Sequence, residues 1–84
     1  MVKRNNRPRA DAKAIGRRMR EIRGFDLTQK EFGKILGIGQ GQLSKYEKGQ
    51  SLPTLDLLLR LKDHSGKSID WIVAGQKSSD DEKP

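Results

Sequence analysis

Twenty residues from Gln29 to Lys48, QKEFGKILGIGQGQLSKYEK, restrict this chain more than any other stretch. With Gln29 as position 1, apolar residues occupy positions 4, 8, 10, 15 and 18 (Phe32, Leu36, Ile38, Leu43 and Tyr46), and glycines occupy positions 5 and 9 (Gly33 and Gly37). A helical period governs the first half and resumes in the second, with a break between. Two short helices crossing steeply over a tight turn satisfy this spacing. Position 5 has to be small, on this reading because the second helix passes over it. Position 9 favours glycine because such a turn needs a left-handed backbone, which glycine adopts without a Cβ penalty.

The rest of the chain supplies a small helical frame. Asp11 to Arg23 repeats Ile15, Met19 and Ile22 at helical spacing, with Ala12 and Ala14 nearby and Gly24 as the stop. Thr28 and Glu31 form a T-x-x-E capping box that opens a second helix, with Phe32, Ile35 and Leu36 on one face. Gly39 serves as N-cap of a third helix running to about Lys48, and Gly49 suits the left-handed position after it. Thr54 caps a fourth helix with Asp56 in its first turn; Leu55, Leu58, Leu59 and Leu61 are expected to form its buried face, and Gly66 to end it. Ser68 caps a short fifth helix, IDWIVA, closed by Gly75. The sequence carries no strand signals and no internal repeats. The expected fold class is therefore all-α with five short helices. Residues 1–10 read as a flexible basic arm, 11–75 as the folded domain and 76–84 as a disordered polar tail.

Composition limits what such a domain can do. About ten unstructured residues at each end of the 84 leave about sixty for the core, which must stay small, and the ends dilute the average to 32% hydrophobic and 35% charged. There is no cysteine, which removes disulfides and thiolate metal sites. No apolar run approaches the ~20 residues that cross a bilayer, and no signal peptide is visible, so a cytoplasmic, nucleoid-associated location is expected. The net charge of +7 suggests a polyanionic partner. Combined with the helix-turn-helix spacing, it points to a module that places its second helix in the major groove of duplex DNA.

At about 100° per residue, Leu43 and Tyr46 define the core side of that helix, while Gly41, Lys45 and Lys48 lie opposite. Ser44 and Gln40 border the outer face, with Gln40 at its exposed tip and Gln42 in the same first turn. Glutamine can bond bidentately to adenine N6 and N7, lysine can reach guanine O6 and N7, and Gly41 lets the backbone approach closely. The plain alternative is a solvated helix face, and the preceding helix-turn pattern weighs against it. Gln29 can meet a phosphate through the dipole of its helix, brace Gln40, or act as an ordinary polar residue. Thr28 is first a cap and secondarily a phosphate contact. Lys30, Lys48, Gln50 and Ser51 flank the surface and are expected on phosphates, which adds affinity and salt dependence but no sequence choice. Lys3, Arg4, Arg7 and Arg9 either enter a groove or track phosphates, or simply solubilise the terminus. Glu47 sits near the core side and needs a partner. Arg23, at the end of the first helix, is the candidate, and both are read as structural.

From Ile15 to Gly75 the segments IGRRMREIR, LTQKEFGKILGI, LSKYEKGQSLPTL and SIDWIVAG resemble the XRE, or Cro/C1, helix-turn-helix family of lambda-repressor-like domains. The resemblance implies a five-helix DNA-binding domain of a prokaryotic or phage regulator. It matches Gln29 and Gln40 to glutamines that such repressors use together at an adenine, Gly41 and Lys45 to base-contacting positions, and Arg23 and Glu47 to an internal ion pair. Two departures are visible: the Gly24–Asp26 turn is one residue shorter than the usual loop, and Gly41 replaces a longer polar residue.

The leading expectation is a sequence-specific regulator of transcription, a repressor or autoregulator acting as a homodimer on a pseudo-palindrome. One short helix reads too few bases, and two half-sites roughly double the readout. A stand-alone repressor, a restriction-modification controller and an antitoxin-like autoregulator all fit. Ile69, Trp71, Ile72 and Val73 supply either the dimer contact or local core packing, with core packing favoured for Trp71. The competing class is a protein-interaction or coactivator-type module with little base readout. RNA binding is weaker still, for want of an aromatic stacking platform. An enzyme is not expected: the single histidine, His64, is explained by its place near a helix C-terminus, and there is no nucleophile–base set, metal cluster or phosphate loop. Asp80, Asp81 and Glu82 read as a solubilising or autoinhibitory patch. No cofactor, metal or small-molecule ligand is implied.

Overall fold

Four short polar side chains set where helices begin. In the computed structural model, which describes residues 9–76, Asp11, Thr28, Thr54 and Ser68 each accept a hydrogen bond from a backbone N–H three residues on. Each such cap is worth about 0.5–2 kcal/mol. They open α1 (Ala12–Arg23), α2 (Gln29–Leu36), α4 (Leu55–Ser65) and α5 (Ile69–Ala74). The remaining helix, α3 (Gln40–Glu47), begins at Gly39 with no side-chain cap. The described residues contain these five helices and no strand.

One core unites all five. Ile15 and Met19 of α1, Phe32 and Leu36 of α2, Leu43 and Tyr46 of α3, Leu57 and Leu61 of α4, and Ile72 of α5 are all buried against one another. Each such large side chain contributes about 1.5–3 kcal/mol by leaving water. Ile22, Leu27, Ile38, Leu58, Trp71 and Val73 pack around the edge, half-buried. His64 lays its ring against Phe32 with centroids 5.5 Å apart.

The turn between α2 and α3 has the spacing that the sequence implied, with one change of cause. Gly37 is left-handed (φ 76°, ψ 28°), and its N–H and that of Ile38 close the end of α2 on the carbonyls of Lys34 and Gly33. Gly33 must be small, but the crowding group belongs to the turn itself: a Cβ there would stand 2.7 Å from the Ile38 carbonyl oxygen. The body of the next helix is not the nearest obstacle. A second space requirement was not read from sequence. A Cβ on Gly16 would collide with the carbonyl oxygen of Tyr46 and stand 2.7 Å from that of Glu47, so α1 and α3 touch backbone to backbone.

Helix α4 corrects the expected burial. Leu57 and Leu61 face the core and Leu58 is half-buried, whereas Leu55 (68% exposed) and Leu59 (52%) point outward. Five leucines between Leu55 and Leu61 surround the helix, so periodicity alone could not choose the inner side. Contacts with α1, α2 and α5 choose it. Ile35, grouped with the inner face of α2, is also 49% exposed.

Candidate nucleic-acid interface

Helix α3 is held from one side only. Leu43 and Tyr46 enter the core, while Gln40, Gly41, Gln42 and Lys45, together with the C-cap Lys48, are exposed. Ser44 is half-buried at the border. A Cβ added at Gly41 would meet nothing within 4 Å, so the outer face at that point is bare backbone. With no capping side chain at its start, α3 presents the N–H groups of its first turn beside Gln40.

The far end of α3 is closed firmly. Gly49 (φ 78°) donates to the Tyr46 carbonyl (3.0 Å), and Gln50 N–H donates to that of Lys45 (2.9 Å). This double closure turns the chain back and leaves Lys48 and Gln50 exposed and Ser51 half-buried on the adjoining loop. Lys30 is exposed on the first turn of α2.

Beneath this surface lies a polar brace. Arg23 Nε donates to Glu47 Oε2 (2.9 Å) and Nη2 to Oε1 (3.0 Å), the two-pronged geometry that matches a guanidinium to a carboxylate. Arg23 Nη1 also donates to the Leu27 carbonyl (3.1 Å). The Glu47 side chain is only 4% exposed, so these bonds replace the water it has lost. The hydrogen bond from Arg23, then the charge of Glu47, raise the guanidinium pKa above its ordinary value, against the opposing effect of burial. A raised pKa stabilises the fold at every pH below the unfolded-state value and is lost only as pH climbs through the folded one, in strong alkali. The expected structural pairing of Arg23 with Glu47 is thus present.

Gln29 has a partner that was not among the three readings given for it. Its Nε2 donates to Glu47 Oε1 (3.0 Å), and the residue is half-buried. The side chain therefore braces Glu47 rather than Gln40, because the carboxylate is nearby, desolvated and has lone pairs to fill. Thr28 is occupied as a cap: its Oγ1 accepts from the Glu31 N–H (3.1 Å), and its own N–H donates to Glu31 Oε1 (2.9 Å). It remains exposed.

Two further expectations meet limits. Ile72 is fully buried in the monomer core and cannot serve a subunit contact, whereas Ile69, Trp71 and Val73 are half-buried. Lys67 stands 4.8 Å from the centre of the Trp71 ring. Of the proposed arm, Arg9 is exposed, and Lys3, Arg4 and Arg7 lie outside the described residues, as do Asp80, Asp81 and Glu82. Among the described residues no cluster of three or more His, Cys, Asp or Glu could hold a metal ion, and no helix is long and apolar enough to cross a membrane.

Known proteins share parts of this sequence and this fold. The sequence is 35% identical over 67 residues to the HTH-type transcriptional regulator ImmR of Bacillus subtilis, covering 79% of this chain and 53% of that protein. It is 40% identical over 51 residues to an HTH-type transcriptional regulatory protein of Pyrococcus abyssi, covering 57% of this chain and 16% of that one. The chain thus spans about half of the first relative and about a sixth of the second. Among solved structures, the P22 c2 repressor in complex with a synthetic operator superposes with a TM-score of 0.67 at 27% identity, over 74% of this chain and 96% of that one. The helix-turn-helix family matches residues 17–72, from α1 to α5 and through every interhelical turn, and the chain belongs to that family in its XRE, Cro/C1-like form.

Proposed function

We propose that the protein is a sequence-specific regulator of transcription that binds duplex DNA with α3 in the major groove, as a homodimer that represses or autoregulates. The observation that carries this reading is the free strip on α3. Gln40, Gly41, Lys45 and Lys48 are exposed on a helix whose opposite side is locked into the core. An amide and an ammonium on a rigid helix supply donors and acceptors to base edges. Lys30, Lys48, Gln50 and Ser51 flank them for phosphates, with Thr28, Gln42 and Ser44 at the margin and Arg9 near the start of α1. The P22 c2 repressor, seen with an operator, is a member of the same fold at an identity that supports the analogy. Dimerisation rests on readout: two half-sites are needed for useful specificity. The half-exposed residues Ile69, Trp71 and Val73 are the surface of α5 left for it.

Selection of duplexes from a random pool, repeated with Gln40→Ala and Lys45→Ala, tests the reading. The wild type should enrich one pseudo-palindrome, and Gln40→Ala should relax one base pair by about 1–3 kcal/mol of discrimination. Lys48→Ala should weaken all sites similarly. Binding that is governed by salt alone and blind to sequence would overturn it.

A second reading, a protein-interaction module, draws on one observation. Ile35 and Leu59 line a cleft of about 400 Å³ with Arg60, Asp63 and His64, and Leu55 lies one turn from Leu59. Contiguous exposed apolar surface of this kind marks contact sites. The same selection separates the two readings, since this one requires no enriched sequence.

A further inference from the structure

Helix α1 carries five cations, Lys13, Arg17, Arg18, Arg20 and Arg23, against one acid, Glu21. The fold divides them. Arg23 is committed to Glu47, and Arg18 Nη1 donates to the Ile72 carbonyl at 3.0 Å, filling an acceptor near the end of α5. The other three, Lys13, Arg17 and Arg20, are all exposed. At about 100° per residue they fall within an arc of about 60°, opposite Ile15, Met19 and Ile22, along roughly 10 Å of helix.

This row meets no carboxylate among the described residues. Among the described residues the ion pair present is Arg23–Glu47, so none of the three has a carboxylate within salt-bridge distance. Like charges three and four residues apart on a helix repel, by a few tenths of a kcal/mol per pair. The row begins beside the surface proposed for DNA. A Cβ on Gly49 would stand 2.6 Å from Lys13 Cγ and 2.7 Å from its Cα, so the start of α1 lies against the loop that presents Lys48 and Gln50. Gly16, one turn on, is pressed against the last carbonyls of α3.

We infer that the outer face of α1 is a second contact with duplex DNA, in which Lys13, Arg17 and Arg20 track backbone phosphates beside the groove that α3 enters. This rests on the reading of α3 as the groove-binding helix and extends its footprint. Phosphate oxygens suit the row because three cations spaced along one helix face match a line of anions, and a bidentate guanidinium matches a phosphate. The contact carries no base information, so it adds affinity and register without changing the preferred sequence.

The test measures how the association constant of the full chain varies with KCl between about 50 and 200 mM, on a selected duplex and on a mixed-sequence duplex. Each lost phosphate contact reduces the log–log slope by about 0.9. Arg17→Gln/Arg20→Gln should therefore flatten it by about 2, and adding Lys13→Gln by about 3, with the selected sequence unchanged. Lys34→Gln/Lys62→Gln, an equal loss of charge on α2 and α4, should leave the slope close to wild type. Hydroxyl-radical cleavage should show backbone protection shortened in the α1 variants only. The inference is overturned if the α1 pair leaves the slope and the protection unchanged, or if the control pair flattens the slope equally, because the effect would then be one of net charge. Circular dichroism melting separates loss of fold from loss of contact. A wild type that binds neither duplex would overturn both this contact and the role of α3, whereas normal wild-type binding with an unchanged slope would remove only the α1 contact.

Discussion

Helices α2 and α3 are both eight residues long and adjoin at one turn, yet they are held in opposite ways. α2 closes its own ends. Thr28 and Glu31 cap each other's backbone at the start, and Gly37 closes the finish. It also buries Phe32 and Leu36. α3 likewise buries two side chains, Leu43 and Tyr46, and closes its finish through Gly49 and Gln50, but it has no side-chain cap at its start. Neighbours supply the rest: Arg23 of α1 and Gln29 of α2 on Glu47, and Gly16 of α1 under its last carbonyls. A helix this short is not stable alone in water, so tertiary contacts must supply what its sequence lacks. The same shortage leaves α3 with a clear outer side. Residues not needed to hold the helix are available for a partner.

That contrast can be broken most severely at Glu47. Glu47→Ala should cost about 3–5 kcal/mol in urea unfolding, because Arg23 is left without its counter-charge and α3 loses its tie to both neighbours. A loss below about 1 kcal/mol would mean that α3 is anchored by Leu43 and Tyr46 alone. Gly16→Ala should cost about 1–3 kcal/mol despite the better helix propensity of alanine, since backbone carbonyls cannot move aside easily. Thr28→Ala, which removes the cap of α2, should cost about 1 kcal/mol by the same measurement. The smallest effect sharpens the comparison from the other side. Gly39→Ser gives α3 the cap it lacks, at a position with open space and φ −76°, and should add a few tenths of a kcal/mol. No gain from the serine would show that α3 lacks nothing at its start and that the two helices do not differ in self-sufficiency there.

Features fixed by near neighbours in the chain are legible in the sequence, and those fixed by distant ones mostly are not. Gly33 and Gly37 were legible because their constraint lies within a few residues: a close carbonyl and a left-handed turn. Arg23 and Glu47, 24 residues apart, were found from the need of a carboxylate near the core for a counter-charge. The bond from Gln29 to Glu47 is not legible in sequence because a polar residue at a helix start has several satisfactory partners, and only the packed chain shows which is near. The inner side of α4 was misread because its leucines are too many to mark a face. Lys13, Arg17 and Arg20 do not stand apart in the sequence, since five cations on one helix look alike until two of them are consumed.

By itself the sequence determined the number of helices, their starts and stops, and the turn that sets α2 against α3. These depend on capping, glycine conformation and a 3.6-residue period, all of which act over a few neighbouring residues. Only the tertiary structure decided which leucines of α4 face inward, which carboxylate Gln29 holds, that Ile72 is core, and which cations of α1 remain outside. Those outcomes arise from contacts between residues distant in the chain, where many pairings are chemically acceptable and close packing admits one.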